Sequence, residues 1–295
     1  MKISNDMRIG ISGNATKILF YDIVNELGDF LTLHKIKFHL LANKDLELNK
    51  LHYKDSIADF NQIVNESTMI LSIGGDGTII SSIRKFLKYK IPILGLHIGG
   101  LGFLADCNQK NYQKRILEIQ KGKFYVENRM LLNVRIKKEK TSYDIINELV
   151  IDRRDSARTI KTNISISGKF ANTYESDGII FSTPTGSTAY SLSAGGPIVY
   201  PTMDIIIITP ICPHTLSMRP LIIPSTDRVR VNFDPSISRK LSLTVDGQIQ
   251  KNITTKSDVE VKRSKHSAYL IKFKEDDYFQ TLRDKMYWKG NLRIK

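Results

Sequence analysis

The chain has 295 residues, of which 41% are hydrophobic and 25% charged, and these are ordinary values for a globular protein with a substantial core. The net charge of +14 suits phosphorylated ligands, but the basic residues are scattered and form no nucleic-acid-binding motif, so no dedicated nucleic-acid binding is predicted. Two distant cysteines, Cys107 and Cys212, and the lack of any apolar run of membrane-spanning length argue against a disulfide framework and a membrane protein. These features predict a cytoplasmic location.

Strands and helices alternate over the first hundred residues. An apolar run over residues 7–12 predicts a strand, and apolar residues at helical spacing over 18–31 predict a helix. Further strands are predicted over 35–41, 68–73 and 91–96. This alternation predicts a parallel sheet with helices on its faces, and ligands bind such sheets beyond the carboxyl ends of the strands.

A glycine-rich loop follows the strand predicted over residues 68–73. Residues 72–78 read Ser-Ile-Gly-Gly-Asp-Gly-Thr and precede a predicted helix. Glycines allow a sharp turn and a close approach to a ligand, and backbone N–H groups at a helix N-terminus bind phosphate. A carboxylate inside a phosphate-binding loop is suited to hold a metal or to take a proton from an attacking hydroxyl, so Asp76 indicates phosphoryl transfer. A glycine-rich turn with a solvated aspartate remains the alternative.

The pattern changes from about residue 123, where short apolar or alternating segments are separated by turn residues. Such segments predict an antiparallel sandwich or barrel-like domain. The predicted strands lie at 130–136, 163–167, 178–182, 205–209, 229–233, 241–245, 259–261 and 268–273. Residues 279–288 return to helical spacing.

Two further segments could bind a ligand. Residues 182–193 contain seven Ser and Thr hydroxyls, which suit a ligand rich in ribose hydroxyls and amides, although a plain hydroxyl-rich loop is equally compatible. Asn147-Glu148 could bind adenine and ribose groups or could be a polar strand edge. Residues 246–248, Asp-Gly-Gln, predict a hairpin turn, and His97 and His214 are predicted to be structural.

Taken together and in order, five segments resemble the NAD kinase family. They are residues 74–78 (GGDGT), 99–103 (GGLGF), 147–148 (NE), 177–178 (DG) and 182–197 (STPTGSTAYSLSAGGP). The resemblance covers about residues 7 to 290 and implies an α/β N-terminal domain and an all-β C-terminal domain with the active site between them. The implied domains are residues 1–105 with a returning tail at about 275–295, and residues 106–274.

The resemblance implies transfer of the γ-phosphoryl group of ATP to the 2′-hydroxyl of the adenosine ribose of NAD. It also implies a divalent metal ion, with Mg²⁺ the expected one, and a homodimeric or homotetrameric assembly. By position, Asp76 would be the catalytic base and Phe103 would pack against substrate. Phosphate contacts would come from Gly74, Gly75, Gly77 and Thr78, with Gly77 also part of the NAD site. The remaining NAD-binding residues would be Asn147, Glu148, Asp177, Thr185, Thr188, Ala189, Tyr190 and Ser193.

Departures and alternatives remain. Ser176 and His97 stand where many family members have Gly and Asn, which bears on substrate geometry and removes no catalytic group. A lipid kinase could use the same Gly-Gly-Asp-Gly loop but would need an apolar cleft, and a non-catalytic dinucleotide sensor could keep the pocket without turnover. The phosphoryl donor stays open among ATP, other nucleotides and polyphosphate.

Overall fold

The computed structural model describes residues 3, 6–99, 102–137, 139, 141–154, 158–215, 217–234 and 240–288. Its strands are β1 (Arg8–Gly13), β2 (Lys37–Leu41), β3 (Ile57–Ala58), β4 (Met69–Gly74), β5 (Ile93–His97), β6 (Cys107–Asn108), β7 (Tyr125–Ile136), β8 (Ser142–Ile145), β9 (Glu148–Arg153), β10 (Ile160–Ile166), β11 (Lys169–Ser176), β12 (Gly178–Ser182), β13 (Ile205–Ile211), β14 (Leu221–Pro224), β15 (Val229–Phe233), β16 (Lys240–Val245), β17 (Ile249–Thr254) and β18 (Val259–Lys272). Its α-helices are α1 (Ile18–Leu33), α2 (Phe60–Glu66), α3 (Asp76–Phe86), α4 (Tyr112–Gln120), α5 (Tyr190–Ser193) and α6 (Tyr278–Lys285). The chain divides into two compact units, Met1–Glu127 with Tyr269–Lys295, and Asn128–Ala268.

The first unit contains a parallel sheet with the strand order β5, β4, β1, β2, β3. From β1 the chain continues to β2 and β3 on one side and then to β4 and β5 on the other. The strand order therefore reverses between β1 and β4, and open α/β sheets bind ligands beyond the carboxyl ends at such a point. The N–H of Asn14, just after β1, donates to the C=O of Ile73 at 3.3 Å. The fold thus places the loop at Gly74 where ligand sites form.

Apolar periodicity explains the elements of this unit. Helix α1 buries Phe20, Ile23, Val24, Leu27 and Leu31, which recur every three or four residues and join the core beneath the sheet. Every residue of β4 is buried, as expected for a central parallel strand covered on both faces. The predicted parallel sheet with flanking helices is confirmed.

The second unit is built of antiparallel strands. One sheet has the order β14, β13, β12, β9, β16, β17, and another runs β11, β10, β15 and the first part of β18. A single core takes side chains from both sheets, including Ile151 and Leu243 of the first and Ile164 and Val259 of the second. The predicted all-β, sandwich-like domain is confirmed.

Some elements differ from the sequence prediction. Residues 259–261 and 268–273 were expected as two strands, but β18 is one continuous strand of 14 residues. Residues 106–127 lie in the first compact unit because β6 pairs with β5 and α4 follows it. The predicted tail helix is α6, which ends at Lys285, and residues 289–295 lie outside the described part of the chain. Among the described residues, no helix combines the length and apolar character that crossing a bilayer requires.

Candidate functional site

The predicted site residues form two groups, one in each compact unit. In the first unit, Gly74 ends β4, Gly75 precedes α3, and Asp76, Gly77 and Thr78 form the first turn of that helix. Phe103 follows β5 in the chain, whereas Gly100 and Leu101 of the same motif lie outside the described residues. The other predicted residues belong to the second unit, and each group is described by itself.

Backbone donors hold the Asp76 carboxylate. The N–H of Phe103 donates to Oδ2 at 2.9 Å, and the N–H of Leu104 donates to Oδ1 at 3.3 Å. Asp76 is also the first residue of α3, where the helix dipole favours a negative charge. The residue is partly exposed, and the two N–H groups hold its carboxylate in position.

The glycines near Asp76 serve close packing and not a left-handed turn. Gly75 has φ −89° and ψ −179°, an extended conformation open to any residue, so the turn from β4 into α3 does not require a left-handed glycine at this position. A Cβ on Gly74 would lie 2.8 Å from Cγ2 of Thr78. A Cβ on Gly102 would overlap Oδ1 of Asp76 and lie 2.8 Å from Cδ2 of His97. Gly102 therefore leaves the space that the Asp76 carboxylate occupies.

Two residues near Asp76 and Phe103, namely His97 and Lys285, were not identified as site residues from the sequence. Burial lowers the pKa of His97; the charge of Asp76 opposes this shift and that of Lys285 adds to it, so the neutral imidazole is favoured. The ammonium of Lys285, at the end of α6, lies 4.4 Å from the ring centroid of Phe103. A cation from the C-terminal helix thus lies over the ring of Phe103, whose N–H holds the Asp76 carboxylate, and the sequence carries no local signal for this contact.

In the second unit the structure joins two predicted motifs. Strand β9 pairs with β12 so that Glu148 lies opposite Ser182. The N–H of Thr183 donates to the C=O of Asn147 at 2.9 Å, and the Thr183 hydroxyl donates to the C=O of Ile146 at 2.6 Å. Gly186 packs against the same backbone, since a Cβ there would lie 2.7 Å from Cα of Asn147. The Asn-Glu pair and the hydroxyl-rich stretch therefore form one cluster.

Several hydroxyls of that stretch are structural, which corrects the idea that their density as a whole serves a ligand. Ser182, Thr183, Ser187 and Ser191 are fully buried. The Ser187 hydroxyl, for example, donates to the C=O of Val199 at 3.2 Å and accepts from its N–H at 3.1 Å. The residues predicted to contact ligand are different ones. Thr188 and Ala189 are partly exposed and Tyr190 and Ser193 are exposed, whereas Thr185 is buried and its hydroxyl accepts from the Arg129 guanidinium at 3.2 Å.

Glu148 is a buried carboxyl group with a perturbed pKa. Its side chain is 6% exposed, and no described residue forms a hydrogen bond with its Oε2. Burial, and then the charge of Asp246, raises its pKa from 4.5 to about 7, while a hydrogen bond from the backbone N–H of Tyr190 acts in the opposite direction. An incompletely satisfied buried carboxyl is costly for stability and is typical of a binding site.

Asp177 is at the other end of the same strand. It precedes β12, whose last residue, Ser182, is opposite Glu148, so a strand length of roughly 15 Å separates the two positions. Its carboxylate pairs with Arg153 at 3.0 Å. The neighbouring Ser176, one of the departures from the family pattern, is buried and donates its hydroxyl to the C=O of Gly178 at 2.8 Å. The structure thus does not bring Asp177 into the cluster around Glu148.

The raised pKa of Glu148 predicts a pH-dependent cost in stability. Between about pH 4.5 and pH 7 the folded chain holds a proton that the unfolded chain releases, so stability falls as the pH rises through this window. In the Glu148→Gln variant the side chain at this position is neutral at every pH. Relative to wild type, we expect the variant to have a free energy of unfolding that is higher by up to ~3 kcal/mol above pH 7 and nearly the same at pH 4.5.

Thermal unfolding of wild type and variant at both pH values measures this difference. Glu260→Gln, which removes an exposed carboxylate of the same unit, is the matched control and should show little pH-dependent difference. A Glu148→Gln effect of equal size at both pH values would contradict the assignment of the buried proton.

Comparison with known proteins gives matches along nearly the whole chain. Residues 13–124 match the family described as ATP-NAD kinase N-terminal domain, and residues 146–273 match the ATP-NAD kinase C-terminal domain. A NAD kinase of Clostridium botulinum (strain Loch Maree / Type A3) is 34% identical over 284 residues, which cover 96% of this chain and 97% of the relative. A NAD kinase of Thermoanaerobacter sp. (strain X514) is 34% identical over 282 residues, 95% of this chain and 98% of the relative.

Solved structures of similar proteins share the fold. A yeast NADH kinase complexed with NADH superposes with a TM-score of 0.81 at 26% identity, covering 98% of this chain and 90% of that one. A NAD kinase from Archaeoglobus fulgidus in complex with ATP has a TM-score of 0.73 at 24% identity, covering 96% of this chain and 100% of that one. At that identity the second likeness concerns the fold alone.

Proposed function

The chain belongs to the NAD kinase family, and we propose from this premise that it transfers the γ-phosphoryl group of ATP to the 2′-hydroxyl of the adenosine ribose of NAD, giving NADP. The observation that carries the proposal is the Asp76 carboxylate, which two backbone N–H groups fix at the start of α3. The family description names ATP and NAD, and the Gly-Gly-Asp-Gly-Thr loop lies at the reversal of strand order, where phosphates bind in such sheets.

Asp76 acts as the general base in this proposal. An ionised carboxylate has about four lone-pair positions, and the N–H groups of Phe103 and Leu104 use two of them. The others can accept a hydrogen bond from the 2′-hydroxyl, orient its oxygen in line with the γ-phosphorus, and receive its proton as the new P–O bond forms. In phosphoryl transfer, the protein contributes mainly this positioning and the stabilisation of charge in the transition state.

The other residues contribute binding. We propose phosphate contacts from Gly74, Gly75, Gly77 and Thr78 at the start of α3 and packing of substrate against Phe103. Asn147 and Glu148 bind adenine and ribose groups, and the free Oε2 of Glu148 offers an acceptor or, when protonated, a donor. Further contacts to NAD come from Thr185, Thr188, Ala189, Tyr190, Asp177 and Ser193, the last two to the nicotinamide half.

The residues fit a metal ion that arrives with the nucleotide. Over the described ranges, no group of three or more His, Cys, Asp or Glu residues could hold a metal. Mg²⁺ keeps several waters and is bound by one or two carboxylates together with substrate phosphates. Asp76 is the carboxylate that could approach it. When bound, the ion would neutralise charge on the phosphate oxygens.

A homodimer or homotetramer and a cytoplasmic location are further parts of the proposal. The family resemblance supports the assembly, and the two free cysteines, one buried and one exposed, support a reducing compartment. Sedimentation of the purified protein measures the assembly, and a monomer at assay concentration would contradict it.

Formation of NADP by the purified protein with Mg²⁺ tests the proposed reaction. NAD and NADH are offered as acceptors, and ATP, other nucleoside triphosphates and polyphosphate as donors, with product detected by an NADP-specific dehydrogenase or by chromatography. We expect NADP from NAD and ATP. NAD binding without turnover on any donor would instead indicate a non-catalytic sensor, and absence of NAD binding would favour a lipid kinase.

A further inference from the structure

The hairpin turn between β16 and β17 holds the segment that carries Asn147 and Glu148. Asp246 begins this turn with φ 49°, and Gly247 follows with φ 65°. The Asp246 side chain is 7% exposed although it belongs to a turn, where aspartates are usually solvated. A buried carboxylate in a turn needs hydrogen-bond donors, and the structure supplies them from one segment.

Three consecutive backbone N–H groups donate to this carboxylate. Oδ1 accepts from Asn147 at 2.7 Å and from Glu148 at 3.1 Å, and Oδ2 accepts from Ile146 at 3.1 Å. In return, the N–H of Asp246 donates to the C=O of Glu148 at 2.9 Å. Hydrogen bonds to a carboxylate are stronger than neutral ones, and these three, with the backbone bond from Asp246 to Glu148, fix the backbone at the start of β9.

From this geometry we propose that Asp246 is a positioning residue for NAD recognition, whose carboxylate holds residues 146–148 so that Asn147 and Glu148 meet the adenosine half of NAD in one fixed orientation. The inference rests on the proposed function and goes beyond it, because the sequence motif marks a hairpin turn and gives Asp246 no part in binding. Asp246 touches no reacting atom in this proposal; it acts through the backbone of its neighbours.

Asp246 has a second effect on the same site. Three groups face Glu148. They are the charged Asp246 in the turn after β16, the uncharged Ser182 of β12, and the backbone N–H of Tyr190 in α5. The negative charge of Asp246 favours the protonated form of Glu148. Removing that charge should therefore move the ionisation of Glu148 to lower pH, a change that a purely structural turn residue would not produce.

Asp246→Asn tests the proposal. In either orientation of the amide, its NH₂ group would face at least one of the three N–H donors, so the segment can no longer be held as before. We expect the KM for NAD to rise roughly 10- to 100-fold, with the KM for ATP within about twofold and kcat within a few fold. The limb of the pH profile of kcat/KM for NAD that reports Glu148 should shift to lower pH.

Asp227→Asn is the matched control. Asp227 is an aspartate of the same unit that accepts from the Ser167 hydroxyl at 2.6 Å in an exposed turn, and its loss should leave both KM values unchanged. Asp246→Glu keeps the charge but displaces it by one methylene. It should therefore raise the KM for NAD and leave unchanged the pH at which kcat/KM reports the ionisation of Glu148.

The outcomes separate the two proposals. Wild-type protein that makes no NADP contradicts the proposed function. Wild-type protein that makes NADP, beside an Asp246→Asn variant with an unchanged KM for NAD and an unmoved pH limb, overturns the inference alone. If Asp246→Asn does not fold, an unchanged KM in Asp246→Glu overturns it. Hydrogen exchange on the wild type needs no variant: NAD should slow exchange at residues 146–148, and unchanged exchange there would also overturn it.

Discussion

Asp76→Asn is expected to lose about 10²–10⁴-fold in kcat, while the affinity for NAD stays within a few fold. Asparagine has nearly the shape of aspartate, and its carbonyl oxygen can still accept the N–H of Phe103, which donates to Oδ2 at 2.9 Å in the wild type. The amide cannot take a proton from the 2′-hydroxyl at neutral pH. Its NH₂ group would then face the N–H of Leu104, so the longer of the two bonds, at 3.3 Å, is lost. The substitution therefore removes the base and keeps the shorter bond that holds the loop.

The measurement is steady-state NADP formation together with equilibrium binding of NAD. Asp59→Asn is a matched control, because Asp59 also stands at a helix start in the first unit, where it accepts from the N–H of Gln62 at 2.8 Å. It should lose a little stability and no activity. If Asp76→Asn retained nearly full turnover, the catalytic role of Asp76 would be wrong; equal losses in both variants would point to a general effect of helix capping.

The alternation of apolar segments was sufficient to predict the parallel sheet and the first helix. The burial of Phe20, Leu27 and Leu31 on one face of α1 follows directly from their spacing. Strands β3 and β6, in contrast, have two residues each. They form by pairing with the longer strands β2 and β5, so their own sequences are too short to show a periodic pattern. The prediction divides strand β18 because residues 262–267 are all polar, although the backbone pairing continues on either side of them.

The candidate site was predictable where the signal is local. Asp76 lies inside a motif of adjacent residues, and its position at the start of α3 follows from the glycines and the apolar strand before it. Lys285 contacts Phe103, and Asp246 holds Ile146, which lies 100 residues before it in the chain. Both contacts join distant parts of the sequence and depend on the completed fold. In the hydroxyl-rich stretch, composition cannot distinguish Ser187, which is buried and bonds to the backbone of Val199, from Ser193, which is exposed.

Gly102→Ala carries the second large expected effect. The added methyl group would overlap Oδ1 of Asp76, so either the carboxylate or the segment of Phe103 and Leu104 must move. The φ angle of Gly102 is not in the left-handed region, so alanine meets a steric obstacle and no backbone strain. Misplacement of a reacting group by about 1 Å can cost ~10²-fold in rate. We expect a loss of that order in kcat.

A matched control separates this effect from simple overpacking. Gly10→Ala places a methyl group 2.7 Å from Cδ1 of Ile70 in the core of the same unit, so it should destabilise the fold by about 1–3 kcal/mol and leave kcat unchanged. Gly102→Ala should lose rate out of proportion to any fall in Tm. Full activity in Gly102→Ala would show that the carboxylate can move without consequence, against the proposed positioning.

A double-mutant cycle then asks whether both substitutions act on the same group. If Gly102→Ala works by displacing the Asp76 carboxylate, it has little left to remove once that carboxylate is an amide. The double variant with Asp76→Asn should therefore be scarcely slower than Asp76→Asn alone. Losses that multiply would mean that Gly102 acts on another part of the site, and His97 is the first candidate because the same methyl group would lie 2.8 Å from its Cδ2. The geometry around Gly102 thus makes the position of one carboxylate, and not only its presence, a measurable part of catalysis.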